Sequence, residues 1–564
     1  MPAPFRPARW LAFAAFVAAV IALVPLTAHA APKKTVCTIT VNSSDEKEAF
    51  RRHLPKDEFQ FVELVERGRP DWLESARRKG VQCDILVISG HYDGGDYAGG
   101  NEFFSEHVDA HEYLPVEEME RVACSASGDG LFSHLQAVYL FGCNTLNPEA
   151  LRSTPSEIAH NLERTGHVQG EAERMARAWS TRFADSSRDR MRHIFKNVPA
   201  IYGFSSVAPL GPVAATYLDR YFRSGGTQEL ASGRAGARIL DYFPGRSLTL
   251  TRGLTDADAD AGFRRDVCRF VDDGSSTAAK IGFVHALLVR DMAEVRLFLD
   301  RLERFTASLK SEDALEPDIA DALATLVADA AARDRFLAFE RASDQPSLRV
   351  RMITVAERLG WLPGAAKQAE LMRLVGDLYA RPVVTGADVD LVCTLSEEEQ
   401  GRLGASIGAS PDGSADIGHA AIVACLGGGE QRTRVMEALT SPRDADVQIA
   451  QVYLRHHPIV DVHMLRDVAM EIGQMADAGA QVRALDTLAH HRLSDPATLE
   501  ELARLFPVAR SLGVQRAIAG ILLRADYAAL DGPDLARTLR EYRLKSPNGR
   551  DLIDVLITRL QAAS

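Results

Sequence analysis

Two segments restrict the fold of this chain more than any others: Asp84-Ile-Leu-Val-Ile-Ser-Gly-His91 and Ala137-Val-Tyr-Leu-Phe-Gly-Cys143. Each is a short apolar run rich in β-branched residues, which reads as a strand. Each ends in a Gly followed by a side chain with catalytic chemistry, His91 in the first case and Cys143 in the second. If both are parallel strands of one open sheet, the two side chains sit together at its C-terminal edge, where α/β folds place their active sites. There an imidazole accepts the thiol proton and the resulting imidazolium stabilises the thiolate, which makes a nucleophile.

From residue 35 to about residue 225 the chain alternates between strand and helix periodicity. Thr35 to Val41 reads as a strand, and Asp45 caps a helix through about Leu54 whose first turn is acidic and last turn basic, as the helix dipole prefers. Phe59 to Val65 is a second strand, Pro70 to Lys79 a helix, and Asp84 to Ser89 the strand that delivers His91. Gly94, Gly95, Gly99 and Gly100 then suggest a loop in which backbone approaches a substrate, or a simple flexible connection. Pro115 opens a short helix, and the Cys143 strand follows. Next come helices over Pro155 to Arg164 and Gly170 to Ala184, a strand over Ala200 to Phe204 and a helix over Pro212 to Phe222. The expected fold class is therefore α/β, a mainly parallel sheet sandwiched by helices.

Beyond about residue 280 strand signals fade. Val447-Gln-Ile-Ala450, Val482-Arg-Ala-Leu485 and Val514-Gln-Arg-Ala517 repeat one pattern at offsets of 35 and 32 residues, a spacing suited to stacked helical hairpins. This half resembles HEAT-type repeats, with offsets shorter than the usual period; a non-repeating helical domain is the plainer alternative. Asp272-Asp-Gly-Ser-Ser276 reads as the link between the halves, and Asp412-Gly-Ser-Ala415 as a loop within the second.

With 564 residues, 46% apolar and 25% charged, the chain is long enough for two or three domains. A net charge of −12 argues against nucleic acid as the main partner, because phosphate binding calls for a basic face. Arg6 and Arg9, the apolar Leu11 to Leu26 and the small-residue Ala28-His-Ala30 read as a cleaved secretory signal, with an uncleaved membrane anchor as the alternative. The expectation is a secreted, periplasmic protein with no stable membrane insertion once the signal is removed. All seven cysteines follow that segment, and an odd number in an oxidising compartment leaves at least one thiol unpaired. Cys143 is the candidate. Two of Cys37, Cys83 and Cys124 can pair, whereas Cys268, Cys393 and Cys425 read better as buried small apolar side chains.

His91 and Cys143 stand 52 residues apart, and with Ser89-Gly-His91, Phe141-Gly-Cys143-Asn-Thr145 and Ile201-Tyr-Gly-Phe-Ser-Ser206 the stretch from about residue 35 to 225 resembles the caspase-like superfamily of cysteine peptidases (clan CD), most of all its bacterial CHAT-like branch. The resemblance implies a caspase-like α/β domain over residues 31–270, after a signal at 1–30 and before a helical HEAT-like domain at 280–564. It implies an endopeptidase acting on peptide or protein, with Cys143 as nucleophile, His91 as proton shuttle and an oxyanion hole made by the backbone amides of Tyr92 and Cys143. The family usually has Gly where Tyr92 stands, which puts the hole's geometry in question. Relatives that cut after Arg or Lys often carry an acid where this chain has Phe141, and caspases carry Gln there, so neither charge preference is supported. Phe141, Ser205, Ser206 and the Pro209-Leu-Gly-Pro212 turn are the expected substrate contacts.

Two metal readings are weaker. His107-Val-Asp-Ala-His111 puts its histidines at i, i+4 and could join His91 on zinc, but it lacks the Glu of a His-Glu-x-x-His motif. Asp256-Ala-Asp-Ala-Asp260 begins like a calcium loop, yet Ala261 and Val267 stand where Gly and a closing Glu are needed. No metal and no cofactor is expected. The rival to the peptidase is a degenerate caspase-like fold used as a partner-binding scaffold, and in either reading the helical array holds a protein partner.

Overall fold

The computed structural model of the protein describes residues 32–563 apart from 68–70, 95–100, 106–111, 126–129, 150–158, 160–167, 183–185, 234–235, 259, 310–315, 406–415, 492, 494, 526–531 and 547–550. The signal at 1–30, the helix over Pro155 to Arg164, the histidine pair at 107 and 111 and the loop at 412–415 fall wholly or almost wholly outside the described residues. The chain divides into two compact units, Met1–Phe283 and Val284–Ser564.

The first unit is built on the strands β1 (Lys34–Thr40), β2 (Phe59–Glu63), β3 (Ile85–Ser89), β4 (His91–Gly94), β5 (Asn101–Phe104), β6 (Tyr113–Pro115), β7 (Ala137–Phe141), β8 (Ala200–Phe204) and β9 (Leu248–Thr251). Six of them form a mixed sheet in the order β2-β1-β3-β7-β8-β9, parallel except for β9, which runs antiparallel to β8. Every residue of β3, β7 and β8 is buried, as expected of strands covered on both faces.

Alternation along each strand divides the core in two. On one face Cys37, Ile39, Leu86, Ile88, Val138, Leu140 and Ile201 meet α2 (Trp72–Arg78), α3 (Val116–Cys124) and, beyond α4 (Gln169–Arg182), α5 (Ser187–Ile194). On the other face Val36, Ile85, Val87, Ala137, Tyr139, Phe141, Ala200, Tyr202 and Phe204 meet α1 (Asp45–His53) and α6 (Gly211–Tyr221). Phe50 of α1 is a keystone of this second layer, edge-on to Tyr139 at 5.0 Å and to Phe222 at 5.1 Å. Truncating such a ring costs about 3–5 kcal/mol.

Of the glycines in the expected loop after His91, Gly94 ends β4, and Gly95, Gly99 and Gly100 lie outside the described residues. The chain runs straight into β4, which pairs antiparallel with β5, and β5 with β6, in a small second sheet. Tyr92 and Phe103 face each other across it and are both buried, so apolar pairing holds β4 to β5.

Six of the seven cysteines are paired: Cys37 with Cys83, Cys124 with Cys268 and Cys393 with Cys425. Cys143 is the free thiol. Reading Cys268, Cys393 and Cys425 as mere packing residues is therefore corrected. Each is buried or half-buried, but opposite a cysteine on another helix: Cys268 of α7 (Ala261–Val271) against the last residue of α3, and Cys393 of Gly386–Glu398 against Cys425 of Ile417–Cys425.

The second unit is helical throughout its described residues. Gly386–Glu398 packs on Asp444–His456, that helix on Ala478–Ala489, then Leu512–Leu522, then Leu552–Ala563, while Val462–Gln474 and Pro496–Leu505 pair alongside. Side chains of Asp461, Asp477, Asp495 and Ser511 cap four of these helices. Buried Gln481 and Gln515 donate to Ile472 O and Phe506 O, each nine residues upstream. This matched pair lies 34 residues apart. Val482 is only half-buried and is not the counterpart of the fully buried Val514. Among the described residues no helix is long and apolar enough to cross a membrane.

Candidate functional site

β3 and β7 are neighbours in parallel register, with Ser89 opposite Phe141. Two residues beyond each strand come His91 and Cys143, so both leave the sheet's C-terminal edge at the same level. The Gly90 N–H donates to Phe141 O at 3.1 Å and keeps the two exits together. Both side chains are half-buried and line one cavity of ≈ 180 Å³. The Ala208 N–H donates to Cys143 Sγ at 3.3 Å, a contact that favours negative charge on sulfur. The N-terminal ends of α1 and α6 border the same cavity through Ser43 and Gly211, which adds partial positive charge suited to a thiolate or an oxyanion.

The turn carrying Cys143 is tightly specified. A Cβ on Gly142 would lie 2.9 Å from both Gly90 O and Tyr92 Cβ, so only glycine lets β4 close over the end of β7. Asn144 takes a left-handed φ of 58°, a conformation Asn tolerates better than most residues, and its N–H donates to Ser206 O at 2.8 Å. Thr145 is fully buried: its hydroxyl donates to Gly142 O at 3.2 Å and accepts from Phe204 N–H at 3.0 Å, stitching the turn to β8.

The expected residues separate into those at the cavity and those beside it. Phe141, 7% exposed, forms part of the wall. Pro209, Leu210 and Gly211 of the expected turn line it too, joined by Val207 and Ala208. Ser205 and Ser206 are not among the residues that border it. Ser205 N–H is bonded to Ser247 O at 3.1 Å and Ser206 O accepts from Asn144 N–H, backbone bonds that hold the β8 exit in place. The Tyr92 ring lies in the core against Phe103 at 4.8 Å between centroids, and its hydroxyl reaches Asn101 and Ser187. The Tyr92 side chain thus anchors β4 from the core.

Sequence reading missed three further residues of the lining. Ser89 O accepts from Val41 N–H at 2.9 Å and Asn42 N–H at 3.3 Å, which turns the chain after β1 across the end of β3 and brings Asn42, Ser43 and Glu46 to the cavity. Glu46 is 4% exposed, and its Oε2 has no hydrogen-bond partner among the described residues. Burial pushes its carboxyl up to about 7, with the hydroxyl of Ser89 and the Glu46 backbone N–H pulling the other way and Asp45 adding to the rise. An acidic first turn looks like ordinary dipole complementation. The signal that could have singled out Glu46 is its i, i+3, i+4 relation to the buried Ala49 and Phe50, which puts it on the apolar face of α1.

Elsewhere the chemistry is thinner. Asp256 and Asp258 are engaged with Lys196 and Arg252. Cys393, Cys425 and His457 place ligand-type atoms within 4.8 Å of one another, but the two sulfurs are joined to each other and offer no thiolate. A larger depression of ≈ 610 Å³ is bordered by Arg516, Asp551, Thr558 and Arg559, with no cysteine or histidine among the described residues that line it. Comparison with family models, curated proteins and solved structures returns no match for this chain.

Proposed function

We propose that the α/β unit is a caspase-like cysteine endopeptidase and that the helical unit is a HEAT-like solenoid that holds a protein partner, in a protein exported to the periplasm. The observation that carries the proposal is the Cys143 thiol, the one cysteine outside the three disulfides, in a cavity it shares with His91. Cys143 Sγ attacks the scissile carbonyl carbon, and His91 takes the thiol proton and delivers it to the leaving amine; water then cleaves the acyl-enzyme with His91 as base. Backbone amides of Tyr92 and Cys143 are the proposed oxyanion donors, and each such donor is worth about 2.7–4 kcal/mol in a transition state. Three disulfides suit an oxidising compartment, and the succession of stacked helices suits a solenoid.

Peptide libraries and an irreversible thiol-reactive peptide probe test this reading, with and without calcium. Wild type is expected to cleave and to be labelled at Cys143; Cys143→Ser and His91→Ala are expected to lose turnover by at least about a thousandfold. Cleavage surviving both substitutions rules out the dyad. No cleavage and no labelling in any condition leaves the partner-binding scaffold as the better account.

A further inference from the structure

Three helices of the second unit, Gly386–Glu398, Ile417–Cys425 and Asp444–His456, pack on one another in all three pairs. Each brings a residue with metal-binding chemistry to a common point. Cys393 comes from the middle of the first helix and Cys425 from the end of the second. His457 stands one residue beyond the third, its N–H bonded to Tyr453 O at 3.0 Å. The two sulfurs and a ring nitrogen of His457 lie within 4.8 Å of one another. Both cysteines are buried. A second observation concerns the imidazole itself: Nε2 of His457 is buried and has no hydrogen-bond partner among the described residues. A buried polar atom left bare is unfavourable unless something completes it.

We propose that Cys393, Cys425 and His457 form a redox-gated zinc site, closed to metal in the disulfide form and competent once the disulfide is reduced. A dithiol reductant supplies two electrons and two protons: the Cys393–Cys425 S–S bond breaks, two thiols form, and the reductant leaves as its own disulfide. Zn²⁺ then displaces both thiol protons and binds two thiolates and the neutral imidazole, with water in the fourth tetrahedral position. Thiolate and imidazole ligands suit zinc, whereas magnesium and calcium prefer oxygen. Ligand atoms of such a site stand about 3.5–3.8 Å apart. The sulfurs therefore spread once their bond is broken, and the widest separation in the present cluster has to shrink by only about 1 Å. The disulfide ties two helices; the metal ties three. All three ligands belong to the second unit, so the inference stands apart from the peptidase reading.

The experiment uses the full chain, oxidised or reduced with a phosphine and desalted without air, equilibrated with zinc chloride and freed of loose metal. Elemental analysis is expected to find about one zinc per reduced chain and less than about a tenth of that in the oxidised chain. Because the phosphine opens all three disulfides, alkylation and peptide mapping locate the metal. Zinc should slow labelling of Cys393 and Cys425 by at least about tenfold and leave the other five cysteines unchanged. His457→Ala should weaken zinc binding by at least about a hundredfold, the upper end of what a lost outer-shell partner costs. His457→Cys, which supplies a third thiolate, should recover most of that loss, a rescue that a mere packing role for the ring would not show. Equal zinc in oxidised and reduced chains overturns the inference. So does protection confined to other cysteines, or an affinity unchanged in His457→Ala. A reduced wild-type chain that takes up no zinc overturns it whether or not its helical circular dichroism persists, so the outcome does not depend on the variants folding.

Discussion

At the scale of single residues the site depends on Gly142, where a Cβ would collide with β4, on Asn144, which takes a left-handed φ, and on Glu46, an acid buried where an apolar side chain would fold more easily. Gly142 and Asn144 are legible as turn residues, and their reason is contact with β4 and β8. Glu46 has a measurable thermodynamic signature. The folded protein keeps its proton up to about 7, whereas an unfolded chain releases it near 4.5, so the folded state binds more protons in between. Its contribution to stability is therefore complete below 4.5 and is lost as pH rises through about 7. An interval of that width is worth on the order of 3 kcal/mol. Glu46→Gln, which cannot ionise, should match wild type near pH 4.5 and exceed it by about 2–3 kcal/mol at pH 8, as read from urea midpoints at each pH. An equal difference between the two proteins at both pH values would show that the carboxyl is not held protonated by burial.

At the scale of elements, three disulfides fasten pairs that the sheet and helices already bring together. Cys37–Cys83 ties β1 to the entry of β3, Cys124–Cys268 ties α3 to α7, and Cys393–Cys425 ties two helices of the second unit. Seven cysteines less six leave one thiol, so titration with a thiol reagent in denaturant without reductant should find one per chain, carried on the peptide containing Cys143. Three or more thiols would mean that a bridge is absent. Cys124–Cys268 closes the longest loop, a separation of 144 residues, and replacing both cysteines by Ala should cost about 2–5 kcal/mol in the first unit. The odd count was legible in the sequence; the pairing was not, because Cys124 and Cys268 meet only when α3 and α7 pack.

At the scale of the whole molecule the unit boundary at Phe283 falls inside the helix Thr277–Leu288, so the clean place to divide the chain is the turn before it, where Ser276 Oγ accepts the Ala279 N–H. A fragment of residues 32–275 should unfold cooperatively with a mixed α/β circular-dichroism spectrum, and one of 276–563 should give an almost purely helical spectrum. A strong strand signal in the second would contradict the all-helical arrangement, and a first fragment without a cooperative transition would show that its core is incomplete. By itself the sequence determined the alternation of β1, α1, β2, α2 and β3, the positions of His91 and Cys143 at strand ends and the helical character of the second half. These follow from periodicity and capping, which act over a few residues. Only the tertiary structure decided that β3 and β7 are neighbours in register, that His91–Gly94 is a strand anchored by Tyr92, and that Glu46 lines the cavity of Cys143. Those outcomes depend on which apolar faces meet across tens of residues of chain, and local pattern carries no record of that choice.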